Sequence, residues 1–205
     1  DDFETMSKLS ITHDSIGLSP NEHWDFANTN DTGRMRSFVN DDINIGGSRS
    51  VSLDDKLSTR NGSKNTFTGT FNLGGYDTAN TEVRIDFDYL LHSIPKTQDG
   101  NVVTARGNDT APWKILHSYD LSAYPGNITT VRSLSLTDVL TAAKTNFSTS
   151  TQISFGQHDT TLIAAQNYGA GLTLDNFKIY TVTNDASIVS VVSPASANCG
   201  LPPSV

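Results

Sequence analysis

The chain has 205 residues, in which 14 Lys and Arg stand against 22 Asp and Glu, giving a formal net charge of −8 and a pI near 4.9. That length is enough for one large β domain. The acidic balance argues against nucleic acid, which requires a concentrated basic face, and no apolar run approaches the roughly 18 residues of a membrane helix, so direct membrane insertion is not expected either. The opening Asp1-Asp2-Phe3-Glu4 lacks the basic flank and apolar core of a signal peptide. Ser and Thr supply 48 residues, a composition suited to a polar, strand-rich, surface-exposed protein. Cys199 is the single cysteine, so an internal disulfide is impossible and Cys/His zinc spacing is absent.

The first strand signal in chain order is Phe67, Phe71 and Leu73, with Gly69 as a bulge candidate. Val83, Ile85, Phe87, Tyr89 and Leu91 then alternate with Glu82, Arg84, Asp86 and Asp88. Period-two alternation of this length predicts a strand with one buried and one wet face. Trp113, Ile115, His117 and Tyr119 predict a further strand with those four on one side, and Ile153 with Phe155 another. A helix is predicted over Thr137 to Lys144, with Thr137 as cap, Asp138 near its positive end and Lys144 near its negative end. Leu172 and Leu174, then Phe177 and Ile179, change phase, which predicts a bulge near Asp175. Gly46-Gly47, Asn61-Gly62, Gly74-Gly75, Asp99-Gly100, Pro125-Gly126 and Gly169-Ala170-Gly171 are turn signals between these runs. The sum is an all-β, two-sheet antiparallel sandwich with one short helix. Residues 1–182 form that domain, and 183–205 read as a linker and the first strand of a following domain.

A family resemblance rests on particular residues. They are Asp2-Phe3-Glu4, His23-Trp24-Asp25-Phe26, Gly33-Arg34, Gly46-Gly47-Ser48, Asp54-Asp55-Lys56-Leu57-Ser58, Val83 to Tyr89, and Gly171-Leu172-Thr173-Leu174-Asp175-Asn176-Phe177. In that order they resemble the MAM-like jelly rolls, in particular the cleaved-adhesin modules of Bacteroidetes surface proteins, including gliding-motility adhesins. The framework cysteines of eukaryotic MAM domains are missing. The resemblance implies a jelly roll on a secreted or cell-surface protein, working in adhesion without catalysis. It also implies a structural calcium ion held by the early Glu4 and the late Asp175, with Asp54 or Asp55 joining them. Calcium suits such a set because it takes about six to eight oxygen ligands.

Asp86 and Asp88 have a spacing usable for glycoside hydrolysis, but Arg84 shares their face and is expected to hold both as ion-pair partners. The five histidines form no i, i+4 pair of the HExxH type, and no G-x-S-x-G elbow occurs. Trp24, Trp113, Tyr119, Tyr124 and Tyr168 are candidate sugar platforms. Trp24 and Trp113 read more simply as core, and Tyr124, before Pro125-Gly126, and Tyr168, in the Gly-rich stretch 167–171, are the ligand-binding candidates. Asp14-Ser15, Asp77-Thr78, Asp109-Thr110 and Asp159-Thr160 match the short pattern that the resembled proteins O-glycosylate, which nominates Ser15, Thr78, Thr110 and Thr160. The expected partners are surface glycans or other extracellular polymers, together with neighbouring domains of the same chain. A spacer with no ligand of its own is the other reading that fits this composition.

Overall fold

A computed structural model describes residues 3–18, 22–38, 43–55, 62–95, 97–122, 125–158 and 170–182. Its strands are β1 (Ser10–Ile11), β2 (Ser15–Leu18), β3 (Trp24–Asn28), β4 (Gly33–Arg36), β5 (Val51–Asp55), β6 (Lys64–Phe71), β7 (Glu82–Leu91), β8 (Val102–Arg106), β9 (Lys114–Ser118), β10 (Ile128–Ser135), β11 (Thr151–His158) and β12 (Gly171–Val182). Among the described residues one short helix, α1 (Leu136–Ala142), follows β10. The strands form two six-stranded sheets, ordered β1-β4-β5-β12-β7-β10 and β2-β3-β6-β11-β8-β9. Every pairing is antiparallel. The result is the two-sheet jelly-roll sandwich that the sequence predicts.

The alternation in β7 places Val83, Ile85, Phe87, Tyr89 and Leu91 in the core. Trp24 sits at the centre, stacked on Phe67 with ring centroids 4.5 Å apart, and Phe3, Phe71 and Phe177 meet it edge-on. Aromatic clusters of this kind combine large buried areas with favourable edge-to-face geometry. Gly69 is not a bulge. It pairs in unbroken register with Ile153 and Trp24, and a Cβ there would lie 2.6 Å from the Phe71 ring and 3.0 Å from that of Trp24. The missing side chain is the space those two rings occupy.

The phase change around Asp175 is a bulge: the register of β12 on β7 shifts between Asp175 and Lys178, and Asn176 has φ +54°. A second bulge lies where alternation was expected to run on. The β8–β9 register shifts so that Thr104 faces Ile115 while Val103 faces His117. Ile115 therefore turns out to solvent, 62% exposed, while Leu116 and Tyr119 are buried. His117 packs its ring against Phe87, Tyr89 and Tyr119, and burial lowers its pKa.

The helix starts one residue earlier than predicted and is capped by Ser135, whose Oγ accepts the Asp138 amide at 3.0 Å. Thr137 is one residue inside it. Its hydroxyl accepts from the Val83 amide and donates to the Thr81 carbonyl, tying α1 to the start of β7. Lys144 lies beyond the C-cap Ala143, with φ +55°. Residues 183–205, read as linker and new strand, lie outside the described residues.

Candidate functional site

The predicted metal ligands meet different surroundings. Glu4 folds back on the loop before β5. Its carboxylate accepts from the Ser48 amide at 2.8 and 3.0 Å, from the Ser48 hydroxyl at 2.7 Å and from the Arg49 amide at 3.2 Å. Those hydrogen bonds, led by the Ser48 hydroxyl, hold Glu4 below the usual carboxylate pKa. Gly47, with φ +54°, is what allows the approach, because a Cβ there would lie 1.6 Å from Glu4 Oε1.

Asp175 reaches the same loop from the β12 bulge. Its Oδ2 lies 2.9 Å from Ser50 Oγ, and its Oδ1 accepts the Asn176 amide. Ser50 Oγ is also 2.9 Å from Asn44 Oδ1. Asn44 is oriented by its Nδ2, which donates to the Gly47 carbonyl at 3.0 Å. Two acceptor oxygens thus converge on a hydroxyl that has one hydrogen to give. The donors gathered by this loop, two carboxylates, an amide oxygen and a hydroxyl, are all hard oxygens of the kind calcium takes.

Asp54 is committed elsewhere. It faces Arg34 in the β4–β5 register and accepts from Arg34 Nε at 2.8 Å, Arg34 Nη2 at 2.7 Å and Arg36 Nη2 at 2.9 Å. Asp54 and Arg36 are buried on the outward side of their sheet, with Arg34 partly exposed beside them, and Asp54 compensates both guanidiniums there. Its neighbour Asp55 points the other way, buried, with both oxygens near the Ser63 amide. Burial pushes the Asp55 pKa up to about 6. Among the described residues, no three His, Cys, Asp or Glu are grouped closely enough to hold a metal ion by themselves.

The acidic pair on β7 is paired differently from expectation. Arg84 turns to Glu82, with Nε 2.9 Å from Oε1. Asp88 pairs with Arg132 at 2.8 Å and accepts from Asn176 Nδ2, while Asp86 accepts from the Tyr180 hydroxyl and the Ser133 amide. The register explains this, since Asp88 faces Thr130 across β10, next to the bulge that carries Arg132.

Of the aromatic candidates, Trp24 and Tyr119 are core. Tyr124, Tyr168 and the O-glycosylation candidate Thr160 lie outside the described residues. Ser15 and Thr78 are half-buried and Thr110 is exposed, its hydroxyl 2.9 Å from Asn108 Oδ1. Trp113 is not core: it is 39% exposed, and the guanidinium of Arg106 lies 4.3 Å from the centre of its ring.

That contact stands at one margin of an open face. The outward side of the sheet holding β6, β11 and β8 carries Thr66, Thr68, Thr70, Gln152, Thr104 and Arg106, all partly exposed. Cross-strand bonds order them into rows. Arg106 Nε donates to Gln152 Oε1 at 2.6 Å, and Gln152 Nε2 donates to Thr70 Oγ1 at 2.9 Å. In the next row Thr68 donates to Ser154 Oγ at 2.8 Å. The opposite sheet has no comparable face over β5 and β12, where Ser50, Ser52, Thr173 and Leu90 are buried and Ile43 and Ile45 pack on Leu90. A separate cleft of about 340 Å³ lies between Tyr76 and Tyr180, lined otherwise by Leu73, Val83, Ile179 and Thr181. It offers few polar groups, because the Tyr180 hydroxyl is bound to Asp86.

Sequence reasoning missed Arg106 and Gln152. The signal was present as alternation in Val102-Val103-Thr104-Ala105-Arg106 and in Gln152-Ile153-Ser154-Phe155, but only the register brings the polar halves together.

No protein-family model matches the sequence, and no curated protein matches it. Among solved structures, the chain is similar to TmCBM61 in complex with β-1,4-galactotriose, with a TM-score of 0.43 and 8% identity over 77% of this chain and 87% of that one.

Proposed function

We propose that this chain is a non-catalytic binding module of a secreted or cell-surface protein of the adhesin type, and that its ligand is a glycan. The observation that carries the reading is the open sheet face, where tethered hydroxyl and amide side chains run from Thr70 to Arg106 and end at the partly exposed Trp113 ring. Carbohydrate recognition calls for that combination: polar groups fixed in place beside an apolar surface. Side chains already held by one another lose little rotamer freedom when a ligand arrives. The test is a glycan-array screen of the purified chain. Binding to a defined sugar class supports the reading, and silence across the array overturns it.

Calcium belongs to the same proposal as a stiffener. Glu4 and Asp175, with Asn44 Oδ1 and loop carbonyls, are the ligands, and Asp54 stays with its two arginines. The ion would neutralise two carboxylates from opposite ends of the sequence and pin the loop between them. O-glycans on Ser15, Thr78, Thr110 and Thr160 are proposed on the sequence pattern alone. Intact mass of the protein from its native host tests them.

A further inference from the structure

Resting on the glycan-binding reading, we infer that the ligand is an acidic polysaccharide of the uronic-acid type, and that Arg106 on the open sheet face receives its carboxylate. Arg106 is held from two directions. Its Nε is spent on Gln152 Oε1 at 2.6 Å, and its guanidinium carbon lies over the Trp113 ring, 4.3 Å from the ring centre. Gln152 is in turn fixed by Thr70. What remains is the outer edge of the guanidinium, the two Nη groups, which have no partner among the described residues and lie on a partly exposed residue. A guanidinium edge presents parallel N–H donors whose spacing matches the two oxygens of a carboxylate.

The charges around it point the same way. Among the described residues on this face, Lys64 pairs with Asp99 at 2.6 Å, and Asp25 accepts the Gly17 amide. His158 Nδ1 lies 3.1 Å from the Asp99 carbonyl. Of the two basic side chains on the outward side of β6, β11 and β8, Lys64 is thus paired, and Arg106 has no acidic partner among the described residues, in a chain with a net charge of −8. An unpaired, pre-positioned cation in such a chain is a specific place for an anion. The neighbouring surface selects a sugar as the carrier of that anion. Thr104 and Thr68 offer partly exposed hydroxyls in the adjoining row, and Ile115, across from Thr104, offers an exposed apolar surface for the C–H face of a pyranose.

Isothermal titration of the intact chain tests this with three polymers: polygalacturonate, a neutral β-galactan, and poly-glutamate. The expected result is binding to polygalacturonate that weakens with added salt, and binding to the other two that is at least about tenfold weaker. Arg106→Gln should lower polygalacturonate affinity by about tenfold to a hundredfold with the melting temperature unchanged. Arg106→Lys, which keeps the charge but removes the paired donors, should restore only part of it. Equal affinity for the neutral galactan, or an Arg106→Gln chain that binds polygalacturonate as before, overturns the inference and leaves the glycan-binding reading standing. Binding of poly-glutamate as tight as that of polygalacturonate overturns the choice of a sugar. No binding to any glycan overturns both.

Discussion

The carboxylate of Glu4 and the backbone of Ser48, 44 residues apart in the chain, share a hydrogen bond of 2.8 Å, and Gly47 is the residue that lets them meet. A methyl group at position 47 would both collide with Glu4 Oε1 and face a φ of +54°. Gly47→Ala should therefore destabilise the protein by about 1–3 kcal/mol. Chemical unfolding of the two proteins measures it, and equal midpoints and slopes would show that the loop is not held this way.

If Glu4 and Asp175 share a calcium ion, the melting temperature should rise on adding calcium and fall in EDTA, with Asp175→Asn abolishing the difference. Calorimetry with and without the chelator decides it. A wild-type protein that melts at one temperature in both buffers would remove calcium from the proposal and leave Glu4 as a hydrogen-bonded loop anchor.

Asp55 should make the fold less stable as pH rises. Its folded pKa, about 6, lies above its ordinary value of 3.8, so the folded state binds the proton more tightly than the unfolded chain does. Stability from this group is present below about pH 4 and is lost between about pH 4 and pH 6. His117, whose pKa burial lowers, acts in the opposite direction, losing stability as pH falls. The informative quantity is thus the difference between wild type and Asp55→Asn. That variant should gain relative to wild type from pH 4 to pH 6, as read by urea unfolding. A constant difference across the range would contradict the assignment.

Removing the Asp54 carboxylate should cost about 3–5 kcal/mol, because Asp54→Asn leaves the guanidiniums of Arg34 and the buried Arg36 without the anion they share. The double variant Arg36→Met/Asp54→Asn should recover part of the loss, because the more deeply buried of the two stranded cations goes with it. Additive losses in the two variants would show that the groups are not coupled.

Local patterns carried much of the fold. The ten-residue alternation in β7 and the phase break at Asp175 are backbone periodicities, and they appear in the structure where the sequence puts them. Features that depend on a partner strand were less accessible. The bulge at Leu116 reverses which side of β9 is wet, and it exposes Ile115 contrary to a simple alternation. Ser135 and Thr137 are both competent caps, and the choice between them follows from Thr137 being needed by Val83 and Thr81. Asp54 shows the same limit: its sequence neighbours say nothing of Arg34, which faces it only through the β4–β5 register. The Arg106 row needs three strands, brought from separate parts of the chain, before it exists at all.

The place of β12 in its sheet bears on how the protein is made. β12 comes last among the described strands, yet it lies between β5 and β7, hydrogen-bonded to both. Until residues 171–182 have left the ribosome, β5 and β7 each present a bare edge along which another nascent chain could pair. The described sandwich closes only when this strand is inserted at the middle, so folding during synthesis waits on nearly all of the described strands. Leu172, Leu174 and Phe177, which β12 delivers to the core, are then the residues whose arrival separates an aggregation-prone intermediate from a finished module.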